Sequence, residues 1–144
     1  MDRPIRIMFV CTGNSARSQM AEAFARVPGR EQVEPRSAGI EPKGLSPNAI
    51  RVMRERGIDI SGQGSKNLDL AEASGMDYLI TVCGNAEERF PVLPAHVGRI
   101  HWPLEDPAAA TGSPGHILDI FRHTRDEIEA RVVNLLETLR VPRQ

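Results

Sequence analysis

Apolar residues in this chain come in short unbroken runs separated by stretches of helical period. Ile5-Arg6-Ile7-Met8-Phe9-Val10 is the first run, the pattern of a central parallel strand covered on both faces. A helix from about Ala16 to Arg26 follows and is stopped by Pro28-Gly29. Glu34 to Gly39 predicts a second strand, with Pro35 tolerable only at its edge or start. Ser46-Pro47 opens the next helix, because serine caps the first amides and proline suits the first helical position. Ala49, Ile50 and Met53 carry that helix to Gly57. Ile58 to Ser61 leads into a polar loop, in which Ser65-Lys66-Asn67 is a short strand or the approach to one. A third helix is expected from Asp69 to Ser74. Tyr78 to Cys83 is the second clear buried strand and Arg99 to Trp102 a shorter one, while the Pro- and Gly-rich piece from Pro103 to Gly115 reads as loop. Ile117, Ile120, Phe121, Thr124, Ile128, Val132, Leu135, Leu136 and Leu139 then recur at helical spacing, which predicts one long amphipathic C-terminal helix.

Strands alternating with helices predict an α/β fold: a parallel sheet with right-handed crossovers and helices on both faces. In such a sheet the carboxyl ends of the strands open on one edge, where ligands bind. Cys11 and Cys83 end predicted parallel strands and Asp106 follows a third, so all three are expected at that edge despite their separation in sequence.

Composition narrows the class. The 144 residues suit one domain over 1–144, and 40% hydrophobic with 26% charged residues is ordinary for a globular chain. A formal net charge of −1 gives no reason to expect nucleic acid or an anionic membrane as partner, and 4% aromatics leaves little for base stacking. No stretch approaches a membrane span, and a strand pattern beginning within four residues leaves no room for a secretory signal, so a cytoplasmic monomer is expected. In that compartment two cysteines are reactive or buried rather than joined in a permanent disulfide. His96, His101, His116 and His123 are scattered, and no metal-ligand spacing occurs.

The chemistry concentrates in Val10-Cys11-Thr12-Gly13-Asn14-Ser15-Ala16-Arg17-Ser18, at the junction of the first strand and the first helix. Gly13 and Asn14 tolerate left-handed backbone. A loop of this kind wraps one tetrahedral oxyanion: the backbone amides of Thr12, Gly13, Asn14, Ser15, Ala16, Arg17 and Ser18 converge, and the helix adds its positive end. Arg17 folds back to grip two oxygens. Cys11 at the floor is the candidate nucleophile, and Ser18 can hydrogen-bond its sulfur. Asp106, in an Asp-Pro pair after a strand, is the candidate general acid or an ordinary turn opener. Glu105 reads as a solvated loop charge, Trp102 as a core anchor near the Asp106 loop. Arg122, Arg125, Asp126, Glu127 and Glu129 read as a solvated helix face with local ion pairs.

Val10 to Glu22, Ser37-Ala38-Gly39 and His101-Trp102-Pro103-Leu104-Glu105-Asp106-Pro107 resemble the low-molecular-weight protein tyrosine phosphatase superfamily over nearly the whole chain. Thr12-Gly13-Asn14-Ser15 followed by Arg17-Ser18-Gln19-Met20-Ala21-Glu22 is most similar to its arsenate reductase branch. The resemblance implies a three-layer α/β/α fold on a four-stranded parallel sheet, a structural role for Asn14 in locking the loop, and an acid role for Asp106. It also implies that arsenate bonds to Cys11 and that a second cysteine, matching Cys83, attacks the adduct to release arsenite and form a disulfide. In thioredoxin-coupled members a third cysteine lies seven residues further on, where this chain has Phe90. Two routes stay open: a Cys11–Cys83 disulfide reduced by thioredoxin or glutaredoxin, or attack on the adduct by an external thiol such as glutathione or mycothiol, with Cys83 a buried bystander. No bound cofactor is implied.

Hydrolysis of phosphomonoesters through a Cys11 phosphocysteine is the alternative activity. Phosphatases of this type carry a cysteine before the loop arginine, where this chain has Ala16, and aromatics soon after Asp-Pro, where it has Ala108-Ala109-Ala110. Arsenate therefore fits better, with some phosphomonoesterase activity expected because the loop treats phosphate and arsenate oxygens alike. An idle oxyanion-binding module on the same fold is a third reading, disfavoured by Cys11, Arg17 and Asp106 occurring together. Some reductases of the group hold potassium behind the loop. Asn14, Glu22 and Ser37 match its ligands, but Lys66 stands where the remaining acidic ligand would be, so its ammonium is expected to replace the ion.

Overall fold

The computed structural model describes residues 3–27, 31–82 and 92–139. Four strands, β1 (Ile5–Cys11), β2 (Val33–Gly39), β3 (Tyr78–Thr81) and β4 (Gly98–His101), form one all-parallel sheet in the order β2-β1-β3-β4. The expected parallel α/β architecture is therefore present. β1, the most continuous apolar run, is paired on both sides. Residues Ile7 to Val10 lose all contact with solvent, as a strand sandwiched between two layers must. Pro35 lies in the middle of β2, opposite Ile7, and β2 is an edge strand, where a missing N–H costs no ladder bond. Its carbonyl accepts a hydrogen bond from Arg26 Nη2.

The alternation of β1 sends Ile7 and Phe9 to one face and Met8 and Val10 to the other. Against the first pack α1 (Arg17–Ala25), α2 (Pro47–Arg54) and α4 (Pro114–Thr138), through Met20, Phe24, Val52, Met53, Phe121, Ile128, Val132 and Leu136. Against the second lie α3 (Leu70–Ser74) and its neighbourhood, through Ala73, Met76 and Val97. Burying each large apolar side chain stabilises the fold by about 1.5–3 kcal/mol. Every residue of α1 is buried, because α4 covers the side that a surface helix would turn to water. Trp102 anchors the core as expected, 6.0 Å from the Phe9 ring centroid.

Two expectations need correction. Pro103 to Gly115 is not all loop. Asp106 caps a 3-10 turn at Pro107–Ala109 through Ala108 N, and Ser113 caps α4 through His116 N, with Pro114 in the first turn. The charged stripe on α4 is not all solvated either. Arg125 is 7% exposed and donates to Val52 O, a last-turn carbonyl of α2, and to Glu55. Arg122 also grips Glu55, holding its carboxyl down to about 2, and Arg56 pairs with Asp126. The stripe bolts α2 to α4. Smaller differences concern ends: Ser65 to Asn67 forms only a single bridge, Gly39 to Asn67, and α2 unwinds at Glu55 toward Gly57, whose φ is 74°. Cys83 and Phe90 lie outside the described residues. Among the described residues no helix is long and apolar enough to cross a membrane.

At the opposite end of the sheet, Arg3 clamps Asp77 through two hydrogen bonds of 2.7 and 2.8 Å, and Arg6 N adds a third of 2.8 Å. The Arg3 bonds are the main reason that the Asp77 carboxyl is lowered from 3.8 to about 2. A depressed carboxylate stabilises the fold above its ordinary value and loses that contribution as pH falls toward 2. The stability difference between wild type and Arg3→Ala in urea titrations is thus constant from pH 7 to 5 and shrinks below about pH 4. A difference as large at pH 2.5 as at pH 7 would contradict the clamp.

Candidate active site

β1 ends in Cys11 at the carboxyl edge of the sheet, and the chain turns through residues 12–16 into α1. The turn needs left-handed backbone at one position, and Asn14 takes it with φ 46°. Asn14 is fully buried and both ends of its amide are engaged. Oδ1 accepts from Lys66 N (2.7 Å) and Gln19 Nε2 (3.1 Å), which fixes Nδ2 as the donor to Ser18 Oγ (2.7 Å). With one lone pair so engaged, the Ser18 hydroxyl is free to point its hydrogen at Cys11 Sγ, 2.9 Å away. Asn14 N donates to the same sulfur at 3.1 Å. The sulfur therefore sits between two donors at the floor of the loop, 2% exposed.

The loop's carbonyls explain why its amides converge. Cys11 O accepts from Ile40 N, Thr12 O from Glu41 N, Gly13 O from Lys43 N and Ser65 Oγ. Asn14 O accepts from Gln19 Nε2, Ser15 O from Ser46 N, and Ala16 O from Met20 N. Every acceptor from 11 to 16 is turned outward by a partner, so the amides of a trans backbone are left facing the opposite way, into the cradle. The strap 40–46, running on from β2, supplies most of those partners. Gly39 makes the approach possible: a Cβ there would stand 2.8 Å from Asn14 N and 2.9 Å from Thr12 O.

A cavity of about 530 Å³ opens above the sulfur. Cys11, Thr12, Gly13, Ser15, Ala16 and Arg17 line its floor, and Leu104 and Asp106 one wall. Asn14 and Ser18, expected among the oxyanion binders, are not on its surface. They stand behind the loop, where they hold the sulfur. Arg17 is 7% exposed, with Nη1 donating to Leu104 O (2.9 Å) and Nη2 3.6 Å from Asp106 Oδ2. The same aspartate caps Ala108 N with Oδ1, so turn opener and site residue are one group. The structure thus brings Cys11, Arg17 and Asp106 together, as the strand-end argument required. Among the described residues no aromatic side chain lines the cavity. Gln19, Ser65, Lys43 and the Leu104 carbonyl were not legible as site groups; only the backbone path shows them.

A cysteine at the floor of a loop whose carbonyls are tied back, with a buried arginine and an aspartate beside it, is an arrangement suited to holding a tetrahedral oxyanion. The family model described as low molecular weight phosphotyrosine protein phosphatase matches residues 6–144, and the chain belongs to that family. An arsenate reductase of Shouchella clausii is 46% identical over 132 residues, covering 92% of this chain and 95% of that one. Among solved structures, an arsenate reductase in the phosphate binding state superposes with a TM-score of 0.75 at 37% identity, covering 93% of this chain and 98% of the other. The YwlE arginine phosphatase of Geobacillus stearothermophilus also gives 0.75, at 28% identity, over 95% of this chain and 94% of that one.

The residues behind the loop do not fit a potassium ion. Glu22, 4% exposed, already has both oxygens engaged: Arg26 Nη2 lies 2.6 Å from Oε2, Ser37 Oγ donates to Oε1, and Lys66 Nζ lies 3.9 Å from Oε1. Two cations meet the one buried carboxylate that the ion would need. Turnover is expected to be the same in sodium and potassium chloride at equal ionic strength. A large gain on switching to potassium would contradict this assignment.

Proposed function

We propose that the chain reduces arsenate to arsenite. The observation that carries this reading is the Cys11 sulfur held by Ser18 and Asn14 beneath a loop whose carbonyls are all tied back. The Cys11 sulfur attacks arsenic(V), forming an S–As bond, while one arsenate oxygen leaves as water with a proton delivered at the Asp106 carboxyl. The inward amides and Arg17 hold the remaining oxygens, where negative charge gathers. A second thiol then attacks Cys11 Sγ. An S–S bond forms, the S–As electron pair stays on arsenic, and arsenite leaves. Two thiols lose two electrons together and arsenic gains both, so the step needs only a thiol. Cys83 or an external thiol supplies it, and thioredoxin, glutaredoxin with glutathione, or mycothiol restores the enzyme.

That no described aromatic residue lines the cavity supports an inorganic substrate over an aryl phosphate. The same cradle accepts phosphate, so weak phosphomonoester hydrolysis through a Cys11 phosphocysteine is expected beside the reduction. The test supplies arsenate with each thiol system in parallel and measures arsenite, with phosphopeptide hydrolysis assayed alongside. Arsenite from at least one system supports the reading. Efficient peptide dephosphorylation with no arsenite from any system would replace reduction by phosphatase chemistry.

A further inference from the structure

The two loops that flank the cradle come from opposite edges of the sheet: the strap after β2 on one side, the segment after β4 on the other. The β4 side carries Glu105 and Asp106, and the β2 side carries Lys43. Lys43 is fixed at its root, because its backbone N–H donates to Gly13 O at 3.0 Å. Its stem lies along the loop, where a Cβ added to Gly13 would meet Lys43 Cδ at 3.4 Å and Cγ at 3.5 Å. The side chain lines the cavity, and its ammonium forms no ion pair with any described residue. By contrast Arg17, at the floor, is committed to Leu104 O and Asp106. Among the described residues, Lys43 is thus a cation without an ion-pair partner in the same cavity as two carboxylates, beside a loop suited to an oxyanion.

We infer that Lys43 is a specificity-determining residue that favours inorganic oxyanions over their esters. A tetrahedral oxyanion seated with three oxygens on the loop directs its fourth toward the mouth. In arsenate or phosphate that fourth oxygen is charged or hydroxylic and accepts a hydrogen bond from the Lys43 ammonium. In a monoester it carries carbon, so its charge and most of its accepting power are gone.

This inference rests on the oxyanion site proposed above, and its test separates the two. Inorganic phosphate and phenyl phosphate are titrated by calorimetry into wild type, Lys43→Met and Lys43→Arg, with arsenate KM and kcat measured in parallel. Lys43→Met keeps a stem over Gly13 and removes the charge. It is expected to weaken phosphate and raise arsenate KM by roughly three- to five-fold, the upper end for loss of one partly exposed charge contact, with kcat nearly unchanged. Phenyl phosphate affinity should change by less than about two-fold. Lys43→Arg restores the preference. Equal weakening of both ligands, or of neither, overturns the inference. Phosphate binding with the expected Lys43 dependence but no arsenite from any thiol leaves the inference standing and removes the reductase reading instead.

Discussion

Cys11→Ser is expected to bind inorganic phosphate within a few-fold of wild type and to form arsenite at least about 10⁴-fold more slowly. The two halves of that result separate the jobs of the loop. The serine hydroxyl is nearly the same size, and the carbonyl anchors from Ile40, Glu41, Lys43, Gln19 and Ser46 do not involve the sulfur, so the cradle survives. The S–As bond and the later S–S bond both need sulfur, so the reduction does not. Arsenite assays under saturating thiol, with phosphate titration of the same preparation, check both. Retained turnover would move the chemistry to another residue, and lost phosphate binding would mean that the sulfur organises the loop.

The second large effect is expected at Arg17. Arg17→Lys keeps a positive charge but lacks the planar fork, so it cannot reach Leu104 O, the Asp106 carboxylate and a bound oxyanion together. A fall in kcat/KM of about 10²–10³ is expected, the scale of losing one preorganised charge-stabilising group. Because the same side chain ties the Leu104–Asp106 segment to the cradle, both kcat and KM should suffer. A loss below about ten-fold would mean that the amides alone carry the transition-state charge.

How far the sequence anticipates this site depends on whether each feature is local. The turn at Gly13-Asn14, the unbroken run of β1 and the Ser46-Pro47 cap are short-range signals, and each produced the element expected of it. The meeting of Cys11 with Asp106 followed from one topological rule about strand ends. The tying back of the loop carbonyls did not follow from anything local. It depends on the 40–46 strap running close beside residues 11–15, allowed by a missing side chain at Gly39 and unmarked by any periodicity. Arg125 failed for a related reason: its spacing matches the polar face of α4, but the last turn of α2 presents a carbonyl that only a partner from another element reaches. Ser113-Pro114 carried the same cap signal as Ser46-Pro47 and was obscured by the surrounding glycines and prolines. Lys43 gave no signal at all, since a lysine in a polar loop is what a solvated surface also looks like.

The most direct test of the central claim is alkylation of the reduced protein by iodoacetamide, with the labelled peptide located by mass spectrometry and arsenite formation followed in the same samples. The account predicts that label on Cys11 tracks loss of activity one for one, and that inorganic phosphate slows both together by occupying the cradle. Activity surviving full modification of Cys11, or labelling of Cys11 indifferent to phosphate, would contradict it.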